Sequence, residues 1–270
     1  MTRKAAIVLS AALSTLGLGA AAQAAPLLSD TFTYSDGPLE TVSGGVWEIN
    51  SGSGSKVVSA GRFVIDDNTT SDYQRQFNAG ATSTLVYSSF TLNMDTLDIP
   101  NSVGAYFVAV AGPKSGTTFS TLFRNRVGAF ISGSEGAGKF TLAISSAGGS
   151  PNIATDYTAW GTALNLGTDY TIVIKYDAST GENRLWVNPT LESDTSVVNI
   201  GATSTTGLGS FLWRSNSSSI DGDKTVDNLN VGTLFADVVG GGGPTPEPTT
   251  AGVLAAAGIA ALLRRRRESI

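Results

Sequence analysis

The stretch from Asp169 to Asp177, Asp-Tyr-Thr-Ile-Val-Ile-Lys-Tyr-Asp, limits the available folds more than any other part of the chain. Tyr170, Ile172, Ile174 and Tyr176 occupy every second position. Only extended backbone sets such residues on one face, because a helix repeats every 3.6 residues rather than every two. The same alternation predicts strands over 30–34, 46–49, 56–58, 62–65, 84–93, 104–111, 121–132, 139–145, 210–214 and 224–233. A short Ala178-Ser179-Thr180-Gly181-Glu182 turn carries the Asp169–Asp177 strand into Asn183–Val187 as a hairpin. Helical periodicity is nearly missing. The 32 glycines and the low share of charged residues, 14%, suit short strands joined by tight turns. About a dozen such strands predict an all-β sandwich of two sheets.

Both ends read differently. Arg3 and Lys4 precede an apolar run to about Ala22, and Ala22-Gln23-Ala24 has the small-x-small pattern that signal peptidase needs. Residues 1–24 are therefore expected to be a secretory signal peptide cleaved after Ala24. A Gly/Pro linker spans 238–245, flexible through Gly240 to Gly243 and stiffer from Pro244 onward. Beyond it come Pro246-Glu247-Pro248, an apolar segment over 249–263, and Arg264-Arg265-Arg266-Arg267. As a helix, Ala251 to Leu263 reaches about 20 Å against a hydrocarbon core of about 30 Å, so it would hold a membrane weakly. The arginines would keep its far end cytoplasmic.

Pro246, Glu247 and Pro248, the short Ala/Gly/Leu-rich helix and the arginine cluster together resemble the PEP-CTERM sorting domain of Gram-negative bacteria. That resemblance, covering 246–270, implies recognition by an exosortase. It implies a membrane-anchored precursor with transient insertion of the tail, then delivery to the cell surface or exopolysaccharide matrix. It gives an address and no activity.

Between the two signals, residues 25–237 form the predicted domain, long enough to bury a core without disulfides. Setting both ends aside leaves 11 basic and 20 acidic residues. An acidic domain argues against nucleic acid and anionic membrane as partners and is compatible with calcium or neutral glycans. Phe32-x-Tyr34-x-Asp36-Gly37-x-Leu39, then Gly45-Val46-Trp47-Glu48, Leu185-Trp186-Val187-Asn188-Pro189 and Val226-Asp227-Asn228-Leu229 follow one another. In that order they resemble the concanavalin A-like, laminin-G-like jelly rolls. The likeness implies two curved antiparallel sheets, and in many relatives a sugar-binding face.

The chain contains no histidine and no cysteine, which excludes Ser-His-Asp and Cys-His catalysis and ordinary zinc sites. Glycoside hydrolysis needs two carboxylates about 5–10 Å apart. The nearest approach, Glu192-Ser193-Asp194, lacks a third acid and follows Pro189 in a loop, so no enzyme is expected. Calcium needs several oxygens, and Asp66-Asp67-Asn68 and Asp221-Gly222-Asp223 offer clustered acids without the spacing of a defined calcium loop. Turn geometry explains the same residues. Asp227 and Asn228, inside the last strand, are expected to be structural hydrogen-bond partners. Trp47 and Trp186 are expected in the core. Trp160, Trp213 and Tyr73 are the candidates for an exposed sugar-stacking surface. Arg124 and Arg126, two apart, would share a solvated strand face.

Two readings stay open. One is non-catalytic binding of glycan or exopolysaccharide at the cell surface. The other is a structural surface or biofilm protein with no specific ligand.

Overall fold

The computed structural model describes residues 25–77, 82–97, 106–120, 123–130, 135–147, 153–201, 203, 207–215 and 222–240. The segments expected to be signal peptide and sorting tail fall outside these residues. Among the described residues no helix is long and apolar enough to cross a membrane.

Two antiparallel sheets pack face to face. One runs β15 (Val197–Ile200), β14 (Glu182–Val187), β13 (Asp169–Asp177), β7 (Leu85–Met94), β17 (Lys224–Gly232), β5 (Arg62–Ile65), β4 (Val57–Ser59) and β2 (Gly37–Pro38), with β1 (Leu28–Asp30) also on β17. We call this the terminal sheet, since it holds the first and last strands. The other, the inner sheet, runs β11 (Tyr157–Ala159), β10 (Lys139–Ser145), β9 (Phe123–Phe130), β8 (Tyr106–Ala111), β16 (Ser210–Trp213), β6 (Asp72–Gln76) and β3 (Glu48–Ser51), with β12 (Leu164–Asn165) on β10. The chain passes between sheets from β5 to β6, β6 to β7, β7 to β8 and β16 to β17, so the two-sheet all-β sandwich expected from the alternation is the fold observed, in the jelly-roll form that the resemblance implied. Among the described residues the helices are short: α1 (Leu39–Val42), α2 (Ile153–Asp156) and α3 (Phe235–Val238).

Alternation puts the core where it was expected. Ile172, Ile174 and Tyr176 of β13 are fully buried between the sheets, with Tyr170 packed against them. Trp213, Phe90 and Phe211 interlock across the sandwich at ring separations of 5.1 and 4.8 Å. Each such side chain contributes about 1.5–3 kcal/mol by burial. The β13–β14 hairpin pairs Asp177 with Glu182, and Gly181 takes the positive φ of 72° that the turn requires.

Three differences from the sequence reading have physical causes. The first strand ends at Asp30 because its carboxylate accepts the Phe32 N–H at 2.8 Å and Phe32 turns to φ 48°. Strand β6, Asp72–Gln76, was missed altogether. Its outward residues are polar, so no hydrophobic alternation marks it, yet it lies between β3 and β16. Strand β9 carries a bulge: Val108 faces Val127 and Val110 faces Arg124, leaving Asn125 and Arg126 opposite Ala109. Asn125 sits at φ 54°, and the shared solvated face expected for Arg124 and Arg126 is lost. Arg126 is instead buried, its guanidinium 4.8 Å from the Tyr106 ring. Trp47 and Trp186 are both buried, as expected, although Trp186 packs on the far side of the terminal sheet with Val173, Tyr87 and Phe235.

Candidate functional site

The acidic loops come first. Strand β5 delivers Asp66 and Asp67 into the loop that leads to β6, and Asp223 precedes β17 in the neighbouring loop. The structure brings the three into one corner: the charges of Asp67 and Asp66 act on Asp223. Burial, and after it those two charges, raise the Asp223 carboxyl above its ordinary value, and its Oδ1 is buried without a partner among the described residues. Asp221 lies outside the described residues.

The oxygens of Asp66 are already engaged by a cation. Lys56, 2% exposed, sends its ammonium into the loop, where Nζ lies 2.6 Å from the Asp66 carbonyl and 3.0 Å from Asp66 Oδ1. It lies 3.1 Å from the Thr69 carbonyl and 3.0 Å from Thr69 Oγ1. Burial alone would raise the Asp66 carboxyl; the Asn68 and Lys56 hydrogen bonds and the Lys56 charge hold it below its usual range. The Lys56 ammonium thus occupies the Asp66 oxygens on which calcium was expected. Among the described residues no group of three or more acidic side chains is placed to hold a metal.

The stacking candidates also move. Tyr73 is 0% and Trp213 1% exposed. Tyr73 points inward from β6, accepts the Lys56 N–H at 3.0 Å and donates to Glu40 Oε2 at 2.7 Å. Trp213 belongs to the central aromatic cluster. Neither presents a face to solvent. Trp160 is half-buried, packed against the core just past β11, with its N–H donated to the Leu142 carbonyl at 2.7 Å. The three do not form one surface. Glu192 accepts the Tyr87 hydroxyl at 2.6 Å, while Asp194 accepts the Thr190 and Leu191 N–H groups and closes its own turn.

A concave feature among the described residues lies elsewhere, on the outer face of the terminal sheet. A groove of about 330 Å³ runs over β1, β7, β13 and β17 and is walled by Val238 and Gly240 at the end of α3. Its polar lining comes from Ser29, Thr91, Thr171, Asn228 and Asn230. These side chains pre-orient one another: Ser29 Oγ donates to Asn230 Oδ1 at 2.9 Å, and Asn228 Nδ2 lies 3.3 Å from Thr91 Oγ1. Asn228 is placed by a second bulge, where the β17–β7 register shifts between Asp227 and Asn230. Asn228 takes φ 52° and is exposed. Asp227 accepts the Asn228 N–H at 2.7 Å, the structural role expected of that pair. Ser89 Oγ donates to the Val238 carbonyl at 2.7 Å and ties α3 to the sheet. Phe235 anchors the same helix, edge-on to Trp186 at 5.5 Å.

Sequence reasoning missed this groove. Its side chains are Ser, Thr and Asn on the outward positions of ordinary strands, and only the Asp-Asn inside the last strand marked it.

No family profile matches the sequence, and no curated protein matches it either. Some solved structures are similar over about three quarters of the chain. The Emp47p carbohydrate recognition domain is 12% identical, covering 76% of this chain and 94% of that one, with a TM-score of 0.46. The exoplasmic/lumenal domain of VIP36 in its Ca2+/Man-bound form is 10% identical, covering 77% and 92%, with a TM-score of 0.45. The potassium-bound Emp46p carbohydrate recognition domain is 9% identical, covering 79% and 98%, also at 0.45.

Proposed function

We propose that this is an exported surface or matrix protein whose sandwich binds glycan without catalysis, through the groove on the outer face of the terminal sheet. One observation carries the reading: hydroxyl and amide side chains from four different strands line one concave surface, and two pairs of them, Ser29 with Asn230 and Asn228 with Thr91, hydrogen-bond to each other. Sugars present dense hydroxyls, and amide groups that both donate and accept match them. The lining carries no full charge, which suits a neutral saccharide. The PEP-CTERM-like tail supports delivery to the surface or exopolysaccharide by exosortase, after signal peptidase has removed residues 1–24. No metal enters the proposed site.

A second reading, a structural matrix protein with no specific ligand, draws on the burial of Tyr73 and Trp213, which removes the expected stacking platform.

The test is a glycan panel that includes the host exopolysaccharide, probed with wild-type chain and with Asn228→Gly. Glycine keeps the positive φ and removes only the amide. Saturable binding weakened about tenfold or more by the substitution, worth about 1.4 kcal/mol, supports the groove. Binding that ignores it moves the site elsewhere, and no binding leaves the structural reading. Sorting is tested separately by replacing Pro246, Glu247 and Pro248 with alanine. Accumulation of unprocessed, membrane-held precursor is expected in a host with an exosortase, and unchanged processing would overturn it.

A further inference from the structure

The contacts of Lys56 do not look like those of a lysine satisfying a few acceptors. An ammonium has three N–H donors, yet four oxygens lie within 3.1 Å of Nζ: two carbonyls, one carboxylate oxygen and one hydroxyl. More acceptors than protons, drawn from two residues of one short loop, is how a protein surrounds a spherical cation. The shell is closed from outside. Ser215 Oγ donates to the Asp66 carbonyl at 2.8 Å and lies 3.2 Å from that of Thr69, so the two carbonyls are fixed in direction. Ser53 ties the same loop to the preceding turn, its N–H reaching Thr70 Oγ1 at 2.9 Å.

We infer that the Lys56 ammonium is the chain's own substitute for a bound cation, and that the loop from Asp66 to Thr69 is a monovalent-cation site filled by a tethered ligand. The number and distance of the oxygens set the class. Calcium takes about six to eight oxygens at about 2.3–2.6 Å and is best held by several carboxylates. Here a single carboxylate stands among four oxygens, at 2.6–3.1 Å. That shell suits a large cation of single charge, ammonium or potassium. The consequence reaches β6, because Ser215 also donates its N–H to Asp72 at 3.1 Å and fixes that strand's start. The sandwich thus orders this corner without drawing a metal from its surroundings. Removing the lysine transfers the requirement to a free ion.

The experiment is thermal unfolding of the full-length chain and its Lys56→Ala variant at one ionic strength, in tetramethylammonium, potassium, ammonium or calcium chloride. The wild type should melt at the same temperature in the potassium, ammonium and tetramethylammonium salts. Lys56→Ala should melt lower by on the order of ten degrees in tetramethylammonium, which is too large for the shell. Potassium or ammonium should restore part of that loss, with recovery rising as the logarithm of concentration. Should Lys56→Ala aggregate, the refolding yield of Lys56→Gln in ammonium against tetramethylammonium chloride decides the same question. A variant as stable as wild type, no recovery with either monovalent ion, or recovery best with calcium would each overturn the inference. None of these outcomes depends on glycan binding.

Discussion

The indole of Trp47 donates its Nε1–H to Asp30 Oδ2 at 2.8 Å, joining the end of the first strand to the start of the third, 17 residues on. The same carboxylate accepts the Tyr34 hydroxyl at 2.7 Å, pairs with Arg75 of β6, and through Oδ1 takes the Phe32 N–H. One buried acid thereby links both sheets at the edge where the chain begins.

Asp30→Ala would leave an indole, a phenol and a guanidinium without their acceptor. Losing one partner of a buried charged pair costs about 3–5 kcal/mol. Chemical denaturation should show a loss of that order. Asp30→Asn, which keeps an acceptor but loses the charge, should fall between the variant and wild type.

Three phenols are held protonated. Tyr34 is pushed up to about 12 by burial, and then by its hydrogen bond to Asp30. Tyr73 and Tyr87 are raised further, again by burial first and then by bonds to Glu40 and Glu192. A folded value above the unfolded one, about 10, means stability that is complete below that pH and lost as pH climbs through the folded value. Stability should therefore decline between about pH 10 and 12 as Tyr34 comes under strain. Ultraviolet titration should find these three phenols un-ionised until the fold opens. Full ionisation of all seven tyrosines near pH 10 in a still-folded protein would contradict it.

Gly222, just before β17, has φ 61°, and a Cβ there would meet the Thr96 carbonyl oxygen at 1.9 Å. Neither atom belongs to a flexible side chain. Gly222→Ala combines left-handed strain of about 1–2 kcal/mol with a backbone clash, and should lower the denaturation midpoint well beyond what an ordinary surface substitution does. A stability loss of less than about 0.5 kcal/mol would show that the loop yields easily.

Helix α3 holds the groove wall, so Phe235→Ala should act at a distance. Truncating a buried phenylalanine costs about 3–5 kcal/mol. The loss of its contacts with Trp186 and Tyr87 should release Val238. Proteolysis between α3 and the tail should accelerate, and glycan affinity should fall together with it.

The fold was largely readable because alternation is a backbone property that survives any ligand. Strands β5, β10 and β13 have the limits that the pattern predicts. Strand β6 was invisible because Asp72 and Gln74 face polar partners rather than solvent or core, so its alternation is polar on polar. Tyr73 differs for the same reason: a tyrosine among polar residues reads as exposed, yet β6 aims it inward. The site was harder. Lys56 follows a serine- and glycine-rich turn, and nothing in that local sequence announces a buried ammonium; its partners lie in another loop. The groove depends on a bulge at Asn228, and a bulge changes which way a side chain points without changing composition.

The central claim is that the Ser, Thr and Asn groove holds a saccharide. Its most direct test is a calorimetric titration of the full-length chain with the glycan that binds best on the panel, repeated with Asn228→Gly and with Thr171→Val. The account predicts one saturable site weakened about tenfold or more by each substitution, with wild-type melting retained in both. Equal affinity across all three proteins would contradict it.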